Sequence, residues 1–519
     1  MVISSLIGIT PIPLIYKLEG YMLGNYTLTK KALTSSPASV FEAISERKLL
    51  NIFRSTVKNT PAYAKFLKKH KVDLKSIKTV SDFNKKVPAS DKKNYIKKYK
   101  FEDRCFGGRL PLHGNVDESG GTSGVATNWI HDAKEEDALF KAVKFELNYA
   151  FEADKKNLFV LSGWSCGPWA TGVKFCELME RLTLVKNTGT DPNDIIRTLK
   201  MFGPKHDYLI GAYPPFLKNL IDEHADEINW KKYNIDLVIG GEGVTLQWVD
   251  YMKAKLKKGA KIVSSYGCSD VDIGVGFESP LAHFIRRQVA KKPGLRKALF
   301  GKQSAIPMIF QYNPTVHYIN QIVTKDGKNE FEITLLDPAA ALPKIKYNLH
   351  DEGKVFKHNE LLKILRQHIP DFDVKFAKSG GKISEILRLP FITIFGRSDG
   401  TLSFDGANVF PNQIEKGIQG HKLLSKKTNR FKIEKKYDKN HNTEFHVHVE
   451  LKKGHKSVAG LKKTYLEEIV STLNRINPDF KESYANNRTI KPKINIYKNN
   501  HKLFSQDDGK VKNIYIVKR

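Results

Sequence analysis

Five short segments of this chain combine residue types that do chemistry together. The first, Ser119-Gly120-Gly121-Thr122-Ser123-Gly124-Val125-Ala126-Thr127, is a run of small and hydroxyl residues. Its glycines let backbone N–H groups approach an anion, and the Thr122 and Ser123 hydroxyls can donate to phosphate oxygens. No Gly-Lys-Ser/Thr follows, so it is not a P-loop, and such runs alone are mostly turns. The second, Ser265-Tyr266-Gly267-Cys268-Ser269-Asp270, ends an apolar run. A carboxylate beside hydroxyls suits a hydrated magnesium ion, and equally well caps a helix. The third, from Leu342 to Asp351, runs from a strand into an acidic turn. Asp351 could accept from ribose hydroxyls, although a turn-forming Asp351-Glu352-Gly353 is the simpler reading. The fourth pairs Phe395-Gly396-Arg397-Ser398-Asp399-Gly400 with Phe404-Asp405-Gly406-Ala407-Asn408-Val409-Phe410-Pro411-Asn412-Gln413-Ile414-Glu415, locally a pair of Gly-closed turns. The fifth, Asp508-Gly509-Lys510-Val511-Lys512, precedes a last short strand, and Lys510 is one of 70 lysines.

These segments need elements to position them. Residues 40 to 100 carry apolar residues at helical spacing, with Pro61 opening a new helix. From Asn157 onward, short apolar runs bounded by glycine alternate with helix-like stretches, which predicts a largely parallel α/β sheet with its chemistry at the strand carboxyl ends. Beyond about residue 300 the strands crowd together, and Asp326-Gly327 joins two alternating runs as a hairpin. The last 120 or so residues repeat the mixture on a smaller scale. The expected division is an N-terminal extension over 1–38, a large unit over 39–398 and a small α+β unit over 399–519.

Composition excludes some classes and weakens others. Hydrophobic residues make up 40% of the 519, enough for a folded core. Four scattered cysteines without a CxxC pair argue against a disulfide framework or structural zinc, and fit a reducing cytoplasmic setting. The formal charge of +31 invites nucleic acid as a partner, but only 16 of the 86 basic residues are Arg and the lysines are scattered, so a solvated surface is the simpler account. An anionic membrane surface is left open as a peripheral contact, with the apolar start of the chain as an interfacial segment. No apolar stretch reaches membrane-spanning length, and the N-terminus lacks the basic leader of a secretory signal.

Taken in order, the five segments resemble the adenylate-forming acid ligase superfamily, and within it the phenylacetate-coenzyme A ligase-like branch. The most specific match is Asp405 to Glu415, which carries the Asn-Val-Phe-Pro and Gln-Ile-Glu elements of that branch. The resemblance covers most of the chain beyond residue 38. It implies an enzyme of two units that activates a small-molecule carboxylic acid with ATP and Mg2+, releasing pyrophosphate, and transfers the acyl group to a thiol acceptor. Coenzyme A is the expected acceptor, with a carrier protein, another protein or an amine as alternatives. A degenerate, non-catalytic basic binder is a further alternative, and a homodimer is left open.

The resemblance also assigns roles. Ser119, Gly121, Thr122, Ser123 and Gly124 would hold the phosphates, with Thr122 also catalytic. Gly241, Glu242, Tyr266, Gly267 and Ser269 would surround the base, and Asp270 would stand at the magnesium-binding position. Asp351 and Arg397 would hold the ribose, Asp399 would be the hinge, and Lys510 would be the mobile catalytic lysine. Trp164, Trp169, Tyr213 and Phe216 would line the acyl pocket. Four departures bear on activity: Asp270 is one methylene shorter than the family's Glu, Val125-Ala126 replaces a Lys-Pro that would bring a cation to the triphosphate, Asn348 and His350 replace small or basic residues before Asp351, and Asp405 replaces an Arg.

Overall fold

The apolar runs between residues 158 and 268 become five parallel strands: β3 Leu158–Ser162, β4 Leu184–Asn187, β5 Asp207–Ala212, β6 Asn234–Ile239 and β7 Ile262–Cys268. Every residue of β3 is buried, as expected of a strand covered on both faces. The computed structural model describes residues 7–119, 127–167, 170–301, 303, 305–398, 400–486 and 490–504.

After β7 the chain reverses. Strand β8 (Asp272–Phe277) pairs antiparallel with β7, and β9 (Met308–Gln311), β10 (His317–Val323), β11 (Asn329–Leu335), β12 (Tyr347–Phe356) and β13 (Phe391–Arg397) extend the same sheet. The result has eleven strands in the order β10-β11-β12-β13-β9-β8-β7-β6-β5-β3-β4. It is mixed, parallel through β7 and antiparallel beyond, because the reversal at Cys268 to Asp272 leaves no room for a crossover. A Cβ on Gly267 would sit 2.2 Å from the Ile273 carbonyl oxygen. The expected hairpin at Asp326-Gly327 joins β10 to β11, with Gly327 at φ +76°.

A second hydrophobic cluster draws only on residues from Phe404 to Ile490. It lies under the hairpin of β14 (Leu402–Phe404) and β15 (Ala407–Val409), a three-stranded sheet of β16 (Thr428–Tyr437), β17 (Thr443–Leu451) and β18 (Lys493–Tyr497), and the helices Pro411–Gly420, Leu461–Ile476 and Pro478–Asn486. This small unit therefore has its own core. A separate hairpin of β1 (Gly114–Ser119) and β2 (Thr127–Asp132) stands beside the main sheet.

The N-terminal segment folds back onto the large unit. Helices Ile12–Gly24 and Tyr26–Ser35 dock through Leu33, which shares a cluster with Phe41, Phe145 and Phe277. Lys48 pairs with Glu19 at 2.5 Å, and the Leu33 carbonyl accepts from the Arg388 N–H at 2.7 Å. Leu14, Leu18 and Tyr21, at helical spacing, stay exposed. No helix among the described residues is long and apolar enough to cross a membrane. Further along, Ser90 bridges Tyr347 of β12, and Lys346 Nζ donates to the carbonyls of Asn84 and Val87 at 2.8 and 2.7 Å. The first hundred residues are thus sewn to residues 315–350, Lys48 also donating to the Thr315 carbonyl at 2.6 Å.

Candidate active site

A cavity of about 690 Å³ lies where the carboxyl ends of β3, β5, β6 and β7 meet the small unit. This is the edge at which open α/β sheets bind ligands. Of the residues expected from sequence, Ser119, Trp164, Tyr213, Gly241, Gly267, Ser269, Asp270 and Arg397 line it. Gly121, Thr122, Ser123, Gly124, Trp169, Asp399 and Lys510 lie outside the described residues.

Asp270, 7% exposed, lies two residues past the end of β7. Its two oxygens are both engaged: Oδ1 pairs with Lys92 Nζ at 2.9 Å, and Oδ2 accepts from the Tyr347 hydroxyl at 3.0 Å. Lys92 opens a single helical turn, Lys92–Ile96, whose start is capped by reciprocal bonds between Asp91 and Asn94. The same ammonium donates to Ser119 Oγ at 3.1 Å, which also accepts from Trp129 Nε1 at 2.8 Å. Lys92 thus ties the last residue of β1, where the Gly-rich loop departs, to the carboxylate after β7. No three metal-ligating side chains come together among the described residues. Asp270 offers one carboxylate, held here by Lys92, and a magnesium ion there would take its remaining ligands from nucleotide phosphates and water.

The stem of the loop is fixed from below by buried charge. Lys174, 2% exposed, pairs with Asp117 at 2.7 Å and with Glu136 at 2.9 Å. His131 faces Glu135 at 2.9 Å and Asp117 at 3.3 Å. Burial alone would lower the imidazole pKa, but the two carboxylates outweigh it and raise it to about 9.

Asp351 does not sit in a turn. It lies within β12, opposite Arg397 of β13, because His350 takes φ +63° and the strand continues past it. Tyr266 stacks on Phe310 at 5.6 Å and donates to Asp351 at 2.5 Å, so these two groups bind each other rather than lining the cavity. Glu330 gathers the neighbourhood, accepting from Asn348 Nδ2 at 2.7 Å and meeting His350 Nδ1 at 3.2 Å. Asn348 and His350 do line the cavity.

Glu242 faces the small unit instead of the cavity. Its carboxylate, 3% exposed, takes the Lys435 ammonium at 2.8 Å and the Asp405 N–H at 3.1 Å. Phe216, on the helix Pro214–Glu223, is core: its ring blocks the space beside Gly163. Tyr213 instead lies between the units, since a Cβ on Gly241 or on Gly406 would come within 2.6 or 2.4 Å of its ring. The small unit closes the cavity with Gly406, Asn408 and Phe410, and with Asp479, Glu482 and Ser483 of the helix Pro478–Asn486. That helix carried no sequence signal of a site. Neither did Lys92 and Lys93, two among many lysines, nor Glu118 and Glu146, which also line the cavity.

No protein-family profile matches this sequence, and no curated protein is similar to it. Solved structures are similar, and the fold they define is that of an adenylate-forming ligase with a large unit and a smaller C-terminal one. Among them is 2-hydroxyisobutyryl-CoA ligase, bound to its acyl-adenylate and CoA in the thioesterification state. It aligns over 94% of this chain and 91% of its own, at 13% identity and a TM-score of 0.64. The same ligase in its postadenylation state aligns over the same shares with a TM-score of 0.52, and in an open conformation with 0.51.

Proposed function

We propose that this chain is an AMP-forming ligase that converts a carboxylic acid and ATP to an acyl-adenylate and pyrophosphate, then passes the acyl group to the thiol of coenzyme A. One observation carries the reading. A single cavity brings together Ser119, Asp270 and Arg397, from three motifs far apart in sequence, with Gly406 and Asn408 of the small unit.

In this reading the loop from Ser119 to Gly124 receives the triphosphate, which arrives as its magnesium salt, and Lys92 supplies the cation that Val125-Ala126 lacks. Arg397 reaches the ribose with Asp351 behind it at the paired position of β12, Gly241 and Gly267 border the base, and Trp164 and Tyr213 border the acyl chain. Attack of one anion on another is limited by repulsion and by charge gathering on the departing pyrophosphate. Preorganised cations in a closed cavity therefore provide most of the acceleration. Lys510 reaches the reacting carboxylate in the first step. Rotation about Asp399 then brings Gly406 to Val409 to the cavity for the second, while closure keeps water from the mixed anhydride.

The test is acid-dependent pyrophosphate release from Mg·ATP over aryl and aliphatic acids, with and without coenzyme A. Release that requires an acid and is followed by a thioester supports the reading, and release indifferent to every acid refutes it. Lys510→Ala should abolish adenylation and spare thioester formation from supplied acyl-adenylate; equal loss of both steps would remove the rotation from the scheme.

A further inference from the structure

The helix Ala133–Phe151 turns Val143, Glu146, Leu147, Ala150 and Phe151 to the cavity, one stripe at spacings of three and four. The stripe is apolar except for Glu146. Facing it are Phe175, Leu178, Val238, Val263 and Ile273, part of the same hydrophobic cluster. Glu146 makes no hydrogen bond or ion pair with any described residue. It is of intermediate exposure and lines the cavity. Burial first, and the Asp272 carboxylate second, push its pKa up to about 8. Asp272 opens β8 and is itself faced by Lys174, His131, Glu135 and Glu136.

An unpartnered carboxyl in an apolar wall costs free energy that a Leu or Met there would not. Its value must come from something the empty cavity lacks. The charged neighbour acting on it is another carboxylate, so the local field favours a positive group over a neutral one.

We propose that the acid activated here carries a basic nitrogen at the end remote from its carboxylate, and that Glu146 receives it as a specificity residue. This rests on the acyl-adenylate reading of the same cavity. The ammonium pairs with ionised Glu146 while the methylenes or ring between lie along Val143, Leu147 and Phe175. The reacting carboxylate is left at the polar end, by Asp270 and Lys92. An acid ending in a methyl group instead needs Glu146 to stay protonated.

The two kinds of acid therefore bind with opposite pH slopes. Binding an ammonium displaces the Glu146 proton, so affinity rises with pH toward about 8, whereas affinity for a methyl-ended acid falls above it. The experiment measures binding of matched pairs, 6-aminohexanoate against heptanoate and 4-(aminomethyl)benzoate against 4-ethylbenzoate, by calorimetry between pH 6 and 9. Pyrophosphate release is followed in parallel. In at least one pair the wild type should favour the amine by about tenfold or more, Glu146→Leu should reverse the order, and Glu146→Gln should lose the pH slope. Glu146→Leu should melt no lower than the wild type, so a failure to fold is distinguishable from a change in preference. An equal or weaker affinity for every amine, or a preference untouched by Glu146→Leu, overturns the proposal. The predicted binding pattern without any pyrophosphate release would instead keep the amine site and retire the ligase reading.

Discussion

At Asp270 one carboxylate is held by an ammonium on one oxygen and by a hydroxyl on the other. Lys92 holds Oδ1 at 2.9 Å while Tyr347 holds Oδ2. In the proposed reaction Lys92→Met should lower kcat for acid-dependent pyrophosphate release by about a hundredfold, the scale of one preorganised charge. An unchanged kcat would confine Lys92 to a structural role. Behind the loop, His131 sets a pH dependence. Its pKa is raised to about 9 from an ordinary 6.5, so the folded state holds a proton that the unfolded state releases between those values. The stability it adds is complete below pH 6.5 and is lost as pH rises through 9. The melting temperature of the wild type should fall across that window relative to His131→Gln, and parallel curves would show that the imidazole is neutral. Ser119, Asp270 and Arg397 were legible because each stands in an unbroken string of unusual composition. Lys92 was not, being one of 70 lysines, and Glu146 shows only as a charge on an apolar stripe, which becomes meaningful once the stripe has a cavity in front of it.

The hairpin of β14 and β15 turns at Asp405-Gly406 with φ of +50° and +81°, the mirror-image turn that suits a twisted two-stranded ribbon. Gly406 is required twice, by this backbone and by the Tyr213 ring pressed against it. Gly406→Ala should impair seating of the small unit on Tyr213, cutting thioester formation from supplied acyl-adenylate by tenfold or more while leaving adenylation near normal. Equal effects on both steps would mean that the turn itself had failed. A turn of this kind can be read from an Asp-Gly pair between alternating residues, as at Asp326-Gly327. The expected turn at Asp351 was misleading for a long-range reason: β12 runs on because Gly353 passes close to the Thr393 carbonyl of β13, a neighbour invisible in the local sequence.

For the whole molecule, charged contacts among the described residues help to set the arrangement of the two units. The Lys435–Glu242 pair is the most buried of them, and Lys218 adds a bond to Asn442 at 2.7 Å. Removing one member of a buried pair strands the other, at about 3 to 5 kcal/mol. Lys435→Met should therefore broaden the distance between fluorophores placed on the two units and slow the second half-reaction more than the first. An unchanged distance distribution would locate the restraint elsewhere. The two-unit division was legible because the small unit repeats a strand-and-helix pattern on its own core, whereas the order of the strands in the large sheet was not, since it depends on which distant strands pair. The stitching of the first hundred residues to β12 has a consequence for biogenesis. Ser90 leaves the ribosome some 250 residues before its partner Tyr347, roughly ten to fifty seconds at ordinary rates of synthesis. During that interval Ile52, Phe53, Phe66 and Phe83 have one another but lack the later strands that complete their cluster. A chain cut before Tyr347 should therefore lose these helices to protease faster than the whole one does.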